Sequence, residues 1–521
     1  MQISEYLDVL MFCALALGIL SGAPVAFTLA GIALIFAALG LAFGIVEPRF
    51  LLELPLRIFG TMTNMSLTAV PLFILMGAIL ERSKIAEDLL TTMGDLFGSL
   101  RGGLLFATTI VGALLAASTG VVGATVVTMG LLSLPVMLAR GYDKSLATGS
   151  IAAAGTLGQI IPPSIVLILL GDQLANATNA AREGAGHDVG SVSVGDLFAG
   201  ALIPGLLLVA LYLAYQAAYV FFKPAAAPPG PARLPSLGRL VSALAAPLGL
   251  ILAVLGSIMV GAATPTEGAA VGAAGSMLLA GWRLATNQSK LTRAIIGAGG
   301  LAGLALIIMR FTVDLRLGRP DATGQEQALI WLAVALALVF AAALVISGFA
   351  LFARKALQPA VRSTVEITAM VFTILIGATL FSAVFQELDG KAWVTHMLSN
   401  IPGGLVGALI VVNIAIFLLG FFIDFIEICS IVVPLTAPAL IMMGADPVWL
   451  GVLLAMNLQT SFLTPPFGFA LFYLRGVAPP EVRTMDIYKG SVPFIGLQIV
   501  GLLAVAFFPW LATWLPGILY R

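Results

Sequence analysis

Two carboxylates interrupt a strongly apolar part of the chain. Asp424 and Glu427 stand three residues apart within the apolar region 404–443, just after Gly420. An ionisable side chain at membrane depth is costly and marks a functional candidate. We interpret Asp424 as a residue that binds or couples a cation, and Glu427 as part of the same site. A turn that faces interfacial water is the alternative.

A second apolar region, 103–139, has a polar interruption of its own. Ser118, Thr119 and Gly120 lie near its middle, and the two hydroxyls either bind a cation or only pack between helices. Each region is about twice the roughly 20 residues that one membrane span needs. Irregular backbone at membrane depth is tolerated only where it lines protein or a water-filled cavity. We therefore predict two re-entrant helical hairpins with polar tips; two ordinary spans in each region are the alternative.

A proline pair interrupts the apolar stretch that follows each of these regions. Proline inside a helix removes a backbone donor and clashes with the preceding turn, so each stretch should unwind near the middle of the membrane. The freed carbonyls suit Na⁺ and the half-helix N-termini suit a carboxylate; two unrelated structural kinks are the alternative. The predicted binding residues are Gly155, Gly158, Gln159, Pro162, Pro163 and Ser164 after the first region, and Gln459, Ser461, Thr464, Pro465, Pro466 and Gly468 after the second.

A third acidic candidate, Glu267, follows Thr264-Pro-Thr at the start of an apolar stretch. An acid in the first helical turn complements the helix dipole, and this structural role is the simpler interpretation. A role in ion coupling is the alternative.

The composition places these candidates in a membrane. The chain has 521 residues, of which 60% are hydrophobic and 10% charged, and its mean hydropathy is +1.09. Soluble domains carry about a quarter charged residues, so the class is an all-α polytopic membrane protein. Lys and Arg balance Asp and Glu at 25 each. The sequence has no basic block for a nucleic acid and no phosphate-binding loop for ATP.

Apolar stretches of suitable length predict the membrane spans besides the two hairpins. The spans are 6–22, 25–46, 67–82, 145–172, 196–222, 242–261, 266–285, 295–313, 329–352, 366–386, 448–475 and 491–515. The connections are interfacial helices at 49–64 and 84–100, loops at 173–195 and 314–328, and a stiff proline-rich linker at 223–239.

The distribution of basic residues orients the chain. With the N-terminus outside, most of the 25 Lys and Arg residues fall on the cytoplasmic side, including Arg101 and Arg140 beside the first hairpin. The positive-inside rule therefore predicts periplasmic N- and C-termini in a bacterial inner membrane. The two hairpins then enter from opposite faces, which is typical of an inverted-topology repeat.

Motifs along most of the chain resemble the DctM-like large membrane subunit of TRAP transporters, the tripartite ATP-independent periplasmic carriers. Besides the hairpin and Pro-Pro motifs, the resemblance rests on Gly22-Ala-Pro24, Pro71-Leu-Phe-Ile-Leu-Met-Gly77, Arg140-Gly-Tyr142, Thr264-Pro-Thr-Glu267, Ile376-Gly-Ala-Thr-Leu-Phe381 and Asp446-Pro447.

The resemblance implies a Na⁺-driven importer in which a transport domain of two hairpins and two broken spans slides, like an elevator, against a scaffold. A periplasmic binding protein would deliver an organic acid, such as a dicarboxylate or sialic acid. A separate small subunit of four spans would brace the scaffold. No cofactor is implied besides Na⁺ as the coupling ion, whose ligands would fall at Ser118, Gly155, Asp424 and Thr464.

One segment departs from the family pattern. Between Arg293 and Lys355 the chain has room for two extra spans, too few for a fused four-span subunit, and we interpret them as an enlargement of the scaffold. The resulting division is 1–100, scaffold and interfacial arm; 101–172, first hairpin and broken helix; 173–294, periplasmic loop, scaffold and linker; 295–353, inserted pair; 354–400, scaffold and arm; 401–476, second hairpin and broken helix; and 477–521, C-terminal helix.

Two other functions remain as alternatives. A stand-alone Na⁺- or H⁺-coupled anion carrier would need no binding protein. An intramembrane enzyme would use Asp424 and Glu427 as a catalytic pair, but their three-residue spacing supplies no second catalytic helix and leaves the repeat unexplained. We therefore predict that the chain is not an enzyme.

Overall fold

The computed structural model describes residues 3–83, 85–185, 190–230, 235–285, 290–316 and 323–520. Within these ranges the regular secondary structure is entirely helical. Ten of the described helices are long and apolar enough to cross a membrane, or eleven if one sharply bent helix pair is counted as a span. The predicted all-α polytopic membrane architecture is confirmed.

The helices follow one another closely along the chain. The first half contains α1 (Ile3–Leu20), α2 (Val25–Ala42), α3 (Phe50–Met62), α4 (Ala69–Arg82), α5 (Ile85–Leu96), α6 (Gly103–Thr119), α7 (Val122–Ala139), α8 (Lys144–Thr156), α9 (Ile165–Ala185), α10 (Val194–Phe222) and α11 (Leu237–Met259). The second half contains α12 (Pro265–Leu284), α13 (Lys290–Thr312), α14 (Gly324–Ala353), α15 (Leu357–Glu387), α16 (Gly390–Ser399), α17 (Gly404–Leu419), α18 (Phe425–Met442), α19 (Pro447–Leu463), α20 (Phe469–Val477), α21 (Thr484–Phe507) and α22 (Trp510–Leu519).

Both predicted hairpin regions fold as helix pairs with short turns. Gly120, which has a φ of 61°, and Val121 join α6 to α7. Residues 420–424 join α17 to α18. A left-handed φ is accessible to glycine at little cost, so Gly120 allows the first pair to reverse direction within two residues.

The chain also leaves the helix at both proline pairs. After α8, a short 3₁₀ turn at Leu157–Gln159 precedes an irregular segment that ends where α9 begins. The second interruption separates α19 from α20. The Pro162–Pro163 and Pro465–Pro466 peptide bonds are both cis.

The predicted loop at 173–195 is wrong over most of its length, because α9 continues through it to Ala185. Leu174, Ala177, Thr178 and Ala181 are buried at the i, i+3, i+4 and i+7 spacing of one helix face. Tertiary packing along this face therefore supports a helix whose other side is polar. Part of the predicted loop lies outside the described residues.

Two further boundaries differ from the predictions. The span predicted at 491–515 is two helices, α21 and α22, because Pro509 cannot continue the helix and disfavours helical backbone at Phe508. The loop predicted at 314–328 is shorter, since α14 begins at Gly324. There Thr323 and Glu326 form a capping box, which fixes the start of the helix.

Helices outside the hairpins pack closely on one another. Helix α2 packs on α15, and α4 packs on α12. The inserted helices α13 and α14 pack on each other and on α12, with Gly299 against Ala343 and Gly281 against Ser347. Small residues at these contacts let the helix backbones approach closely, as is common between membrane helices.

The proline-rich linker is attached to the base of the first hairpin. The amide of Gly102 donates to the carbonyl of Ala227 at 3.1 Å, and the amide of Asp143 donates to Ala226 at 2.8 Å. These bonds join the linker to both ends of the α6–α7 pair. The linker is therefore held against the hairpin at this point.

Candidate functional site

The tip of the first hairpin lies against the first proline break. A Cβ atom placed on Gly120 would lie 3.4 Å from Cγ1 of Ile165 and 3.6 Å from the carbonyl oxygen of Pro163. One turn back along the hairpin, Gly158 faces Ala116 of α6 at 3.6 Å. The fold thus brings Gly120, Gly158 and the break together, as the sequence predicts for one site.

The second helix of this hairpin packs closely on α8. A Cβ atom on the buried Gly155 would overlap Cγ2 of Val126, so only glycine fits between the two backbones at this point. Ser118 and Thr119 belong to the last turn of α6, but their side chains lie outside the described part of the structure. Their predicted role therefore stays a prediction.

The first break is buried and contains polar atoms without partners. Pro162, Pro163 and Ser164 are all buried, and the Ser164 hydroxyl donates to the carbonyl of Gln159 at 2.8 Å. In the described residues, neither the nitrogen nor the oxygen of the Gln159 amide has a hydrogen-bond partner. A buried polar group without a partner requires an explanation such as a water or an ion, and an amide oxygen is a suitable Na⁺ ligand.

The two acids of the second hairpin form a capping box at the start of α18. Oδ1 of Asp424 accepts from the amide of Phe425 at 2.7 Å, and Oε2 of Glu427 accepts from the amide of Asp424 at 3.0 Å. The two carboxylates thus stabilise the helix end. The lone pairs that the cap does not use are able to coordinate a cation.

The second hairpin contacts α19 just ahead of the second break. A Cβ atom on Gly420 would overlap the Ser461 hydroxyl. Ser461 donates to the carbonyl of Leu458 at 2.8 Å, and Thr464 donates to that of Thr460 at 2.8 Å. Both hydroxyl donors are therefore used within their own helix, while their oxygen lone pairs remain able to accept or to coordinate.

The second break is more open than the first. Pro465 is partly exposed and Pro466 is exposed, and the carbonyl of Pro466 accepts from the Tyr488 hydroxyl at 3.0 Å. Gly468 closes the turn, since a Cβ atom there would lie 2.6 Å from the carbonyl oxygen of Phe462. The protein therefore covers the first break completely and the second only in part.

A fully buried polar network joins the two broken helices, and the sequence analysis missed most of it. The Gln459 amide donates to the Thr156 hydroxyl at 3.4 Å, and the Gln498 amide donates to Thr156 at 3.1 Å and to the Tyr212 hydroxyl at 2.9 Å. Only Gln459 was predicted. Polar side chains in the middle of the apolar stretches that form α10 and α21 were the available signal for Tyr212 and Gln498.

The remaining acidic candidate has a structural role. Oε2 of Glu267 accepts from the backbone amide of Thr264 at 2.8 Å and completes a capping box at the start of α12. The helix-dipole interpretation is confirmed. Among the described residues, no group of three or more His, Cys, Asp or Glu side chains could hold a metal ion.

Helical hairpins that pack on interrupted helices inside a membrane bundle are the architecture of secondary transporters, and this is the class that the fold and the site define. The family model described as the DctM component of the tripartite ATP-independent periplasmic transporters matches residues 12–511. The chain belongs to this family, the large permeases of TRAP transporters. It is a multi-pass inner-membrane transporter and not an enzyme. The family implies secondary transport of organic acids with a small membrane subunit and a periplasmic binding protein.

Individual relatives agree with this assignment. The C4-dicarboxylate TRAP transporter large permease of Vibrio cholerae is 30% identical, covering 87% of this chain and 86% of its own length. The ectoine large permease of Halomonas elongata is 26% identical, with 88% and 87% covered. The sialic acid large permease of Vibrio cholerae is 24% identical, with 96% of each covered. The solved structure of the Alcanivorax borkumensis YdaH transporter shares the fold, with a TM-score of 0.54 at 16% identity over 90% of this chain and 91% of that one.

Proposed function

We propose that this chain imports an organic acid by coupling its movement to Na⁺, after a periplasmic binding protein has delivered it. The observation that carries the proposal is the arrangement of each hairpin on its own proline break. The first break offers freed backbone carbonyls and the unpartnered Gln159 amide, and the second hairpin offers the carboxylates of Asp424 and Glu427. Neutral and carboxylate oxygens at interrupted helices suit Na⁺, and helix N-termini suit the carboxylate of the solute.

The proposed cation sites number two. The first comprises the tip at Ser118, Thr119 and Gly120 with the segment 155–162. The second comprises Asp424 with the segment 459–465. The direct contact between Gly120 and the first break supports the first site. The contact of Ser461 with Gly420, in the turn that ends at Asp424, supports the second.

The proposed mechanism is an elevator movement of the two hairpins and two broken helices against the remaining bundle. The order long helix, short amphipathic helix, hairpin, broken helix occurs twice, from α4 to α9 and from α15 to α20. The crossed packing of α2 with α15 and of α4 with α12 supports an inverted repeat, since each half then completes the bundle of the other. The basic residues support periplasmic termini.

The proposed complex contains a separate small subunit of four spans and a periplasmic binding protein. Relatives of this chain are named for C4-dicarboxylates, ectoine and sialic acid. Each of these solutes carries a carboxylate, which favours an organic acid here as well. The inserted pair α13–α14 is proposed to enlarge the scaffold, because it packs on α12. The stand-alone carrier is not favoured, since the curated relatives described above are TRAP permeases.

The test is uptake by the purified complex in proteoliposomes. Uptake of a labelled acid should require an inward Na⁺ gradient and the binding protein together. Uptake driven by a proton gradient alone would contradict the Na⁺ coupling. Uptake at the same rate without the binding protein would instead support the stand-alone carrier.

A further inference from the structure

A polar cavity of about 370 Å³ lies beside the candidate transport site, and it contains none of the residues that the sequence predicted for that site. Helices α9 and α18 form one wall, and α3 and α15 form the other. On α9, Asp172 lies eight residues beyond Ser164, about 12 Å at 1.5 Å per residue. On α18, Ser430 lies six residues beyond Asp424. The cavity therefore adjoins both the first break and the second hairpin, and its volume falls in the usual range of small-molecule sites.

Most of the residues that line the cavity are polar, and they include one basic and one acidic side chain. Arg57 is its basic side chain and Asp172 its acidic one. Uncharged amides and hydroxyls surround them, among them Gln173, Asn176 and Ser382. Polar side chains between membrane helices cost free energy and usually have a function. This lining is therefore suited to a polar occupant.

The Asp172 carboxyl group is held in place by two neutral amides. Its Oδ1 accepts from the Asn64 amide at 2.7 Å, and its Oδ2 accepts from the Gln173 amide at 3.3 Å. No Lys, Arg or His of the described chain forms an ion pair with it. Two neutral donors fix the position of the carboxylate and leave lone pairs for a donor or cation from a bound molecule.

The Arg57 guanidinium is only weakly engaged. Its nearest acid is Glu53, at 3.6 Å and one helical turn away, and both side chains are about half exposed. An exposed pair of this kind contributes little free energy. The planar fork of an arginine matches a carboxylate through two parallel hydrogen bonds, so Arg57 is suited to receive the carboxylate of a solute.

Resting on the proposed function, we infer that this cavity is a solute site that selects among organic acids. The solute carboxylate binds Arg57, and a hydroxyl or cationic N–H group of the same molecule donates to Asp172. A plain dicarboxylate is disfavoured, because its second carboxylate only accepts hydrogen bonds and offers no donor to the Asp172 oxygens. The site therefore takes hydroxylated or zwitterionic acids in preference to a simple diacid.

The test uses protection of a single cysteine in the complete complex. Cys13→Ser and Cys429→Ala remove the native thiols, and Ser382→Cys places one in the cavity wall. The rate of labelling by a membrane-impermeant maleimide is then measured with ectoine, malate, N-acetylneuraminate or succinate present. We expect ectoine, malate or N-acetylneuraminate to slow labelling, and succinate to do so less effectively.

Arg57→Gln should raise the concentration needed for half-protection about tenfold, the equivalent of about 1.4 kcal/mol. Arg49→Gln is the matched control, because Arg49 is 80% exposed and pairs with Glu47 outside the cavity. Failure of all four compounds to protect, equal protection by succinate, or unchanged protection in Arg57→Gln would overturn the inference.

Uptake measured in the same vesicles separates the two proposals. If uptake is driven by Na⁺ but Ser382→Cys is never protected, the cavity assignment fails and the proposed function stands. If protection occurs but uptake does not depend on Na⁺, the coupling proposal fails and the cavity assignment stands.

Discussion

At the scale of single residues, the second hairpin shows how one carboxylate can serve structure and function together. Oδ1 of Asp424 accepts from the Phe425 amide and stabilises the N-terminus of α18. The carboxylate lone pairs that the cap does not use are available to a cation. The capping role explains the helix boundary, but it does not require a charge, because asparagine caps a helix about as well as aspartate.

Because the cap does not require a charge, a neutral substitution at Asp424 can test the cation role by itself. We expect Asp424→Asn to keep the helix cap but to raise the Na⁺ concentration for half-maximal uptake about tenfold, about 1.4 kcal/mol of binding free energy. The measurement is uptake against Na⁺ concentration in proteoliposomes.

Asp446→Asn is the matched control for this substitution. Asp446 caps α19 by accepting from the Trp449 amide at 2.9 Å, and it lies at an exposed position. Asp446→Asn should leave the Na⁺ dependence of uptake unchanged. A wild-type Na⁺ dependence in Asp424→Asn would remove Asp424 from the cation site.

At the scale of helices, glycines set how closely the elements approach. Gly155 meets Val126, and Gly420 meets Ser461, at distances that leave no room for a Cβ atom. Proline breaks need such contacts, because an interrupted helix loses internal hydrogen bonds and must be held by its neighbours. The hairpins therefore position the breaks as much as they complete the site.

Two adjacent glycines of α13 allow the packing of the inserted pair to be tested. A Cβ atom on Gly299 would overlap Ala343 of α14, whereas one on Gly300 would meet open space. Gly299→Ala should separate the two helices and destabilise the protein by about 1–3 kcal/mol. Gly300→Ala should be neutral or stabilising by up to about 1 kcal/mol, because alanine favours helix.

Thermal unfolding of the two variants in detergent measures this difference. Equal midpoints for Gly299→Ala and Gly300→Ala would show that α13 and α14 do not pack as described. A lower midpoint for Gly299→Ala alone supports a rigid inserted pair.

At the scale of the whole molecule, helices of one half of the chain pack on helices of the other half. Crossed packing joins α2 to α15 and α4 to α12, and the buried bond from Gln459 to Thr156 joins the two broken helices. The halves are not equivalent, since the first break is buried and the second is partly exposed. The surrounding protein therefore covers the two breaks to different degrees in this conformation.

The proposed orientation of the whole chain makes a prediction of its own. Alkaline phosphatase fused after Tyr520 should be active and a green fluorescent protein fused there should be dark, because the positive-inside rule places this end in the periplasm. A cysteine at Ser236, in the linker, should react with an impermeant maleimide only after the cells are permeabilised. The reverse pattern at both positions would invert the proposed topology.

The sequence by itself determined the membrane class, the short turns within the apolar regions 103–139 and 404–443, and the positions of both breaks. These properties are local: apolar length decides whether a helix enters the membrane, and a Pro-Pro pair interrupts a helix whatever surrounds it. The Asp424 cap is also encoded locally, since an acid followed three residues later by glutamate is a helix start signal, although our sequence analysis did not predict it.

Only the tertiary structure decided which residues meet. The continuation of α9 depends on a helix face, which includes Leu174 and Ala181, that is buried by other helices. This face is covered only after the helices have packed. The contacts among Thr156, Tyr212 and Gln498 join residues far apart in the chain, and no local pattern encodes such a pairing. The cavity between Arg57 and Asp172 arises from four separate helices, so its shape and its charges exist only once those helices are in place.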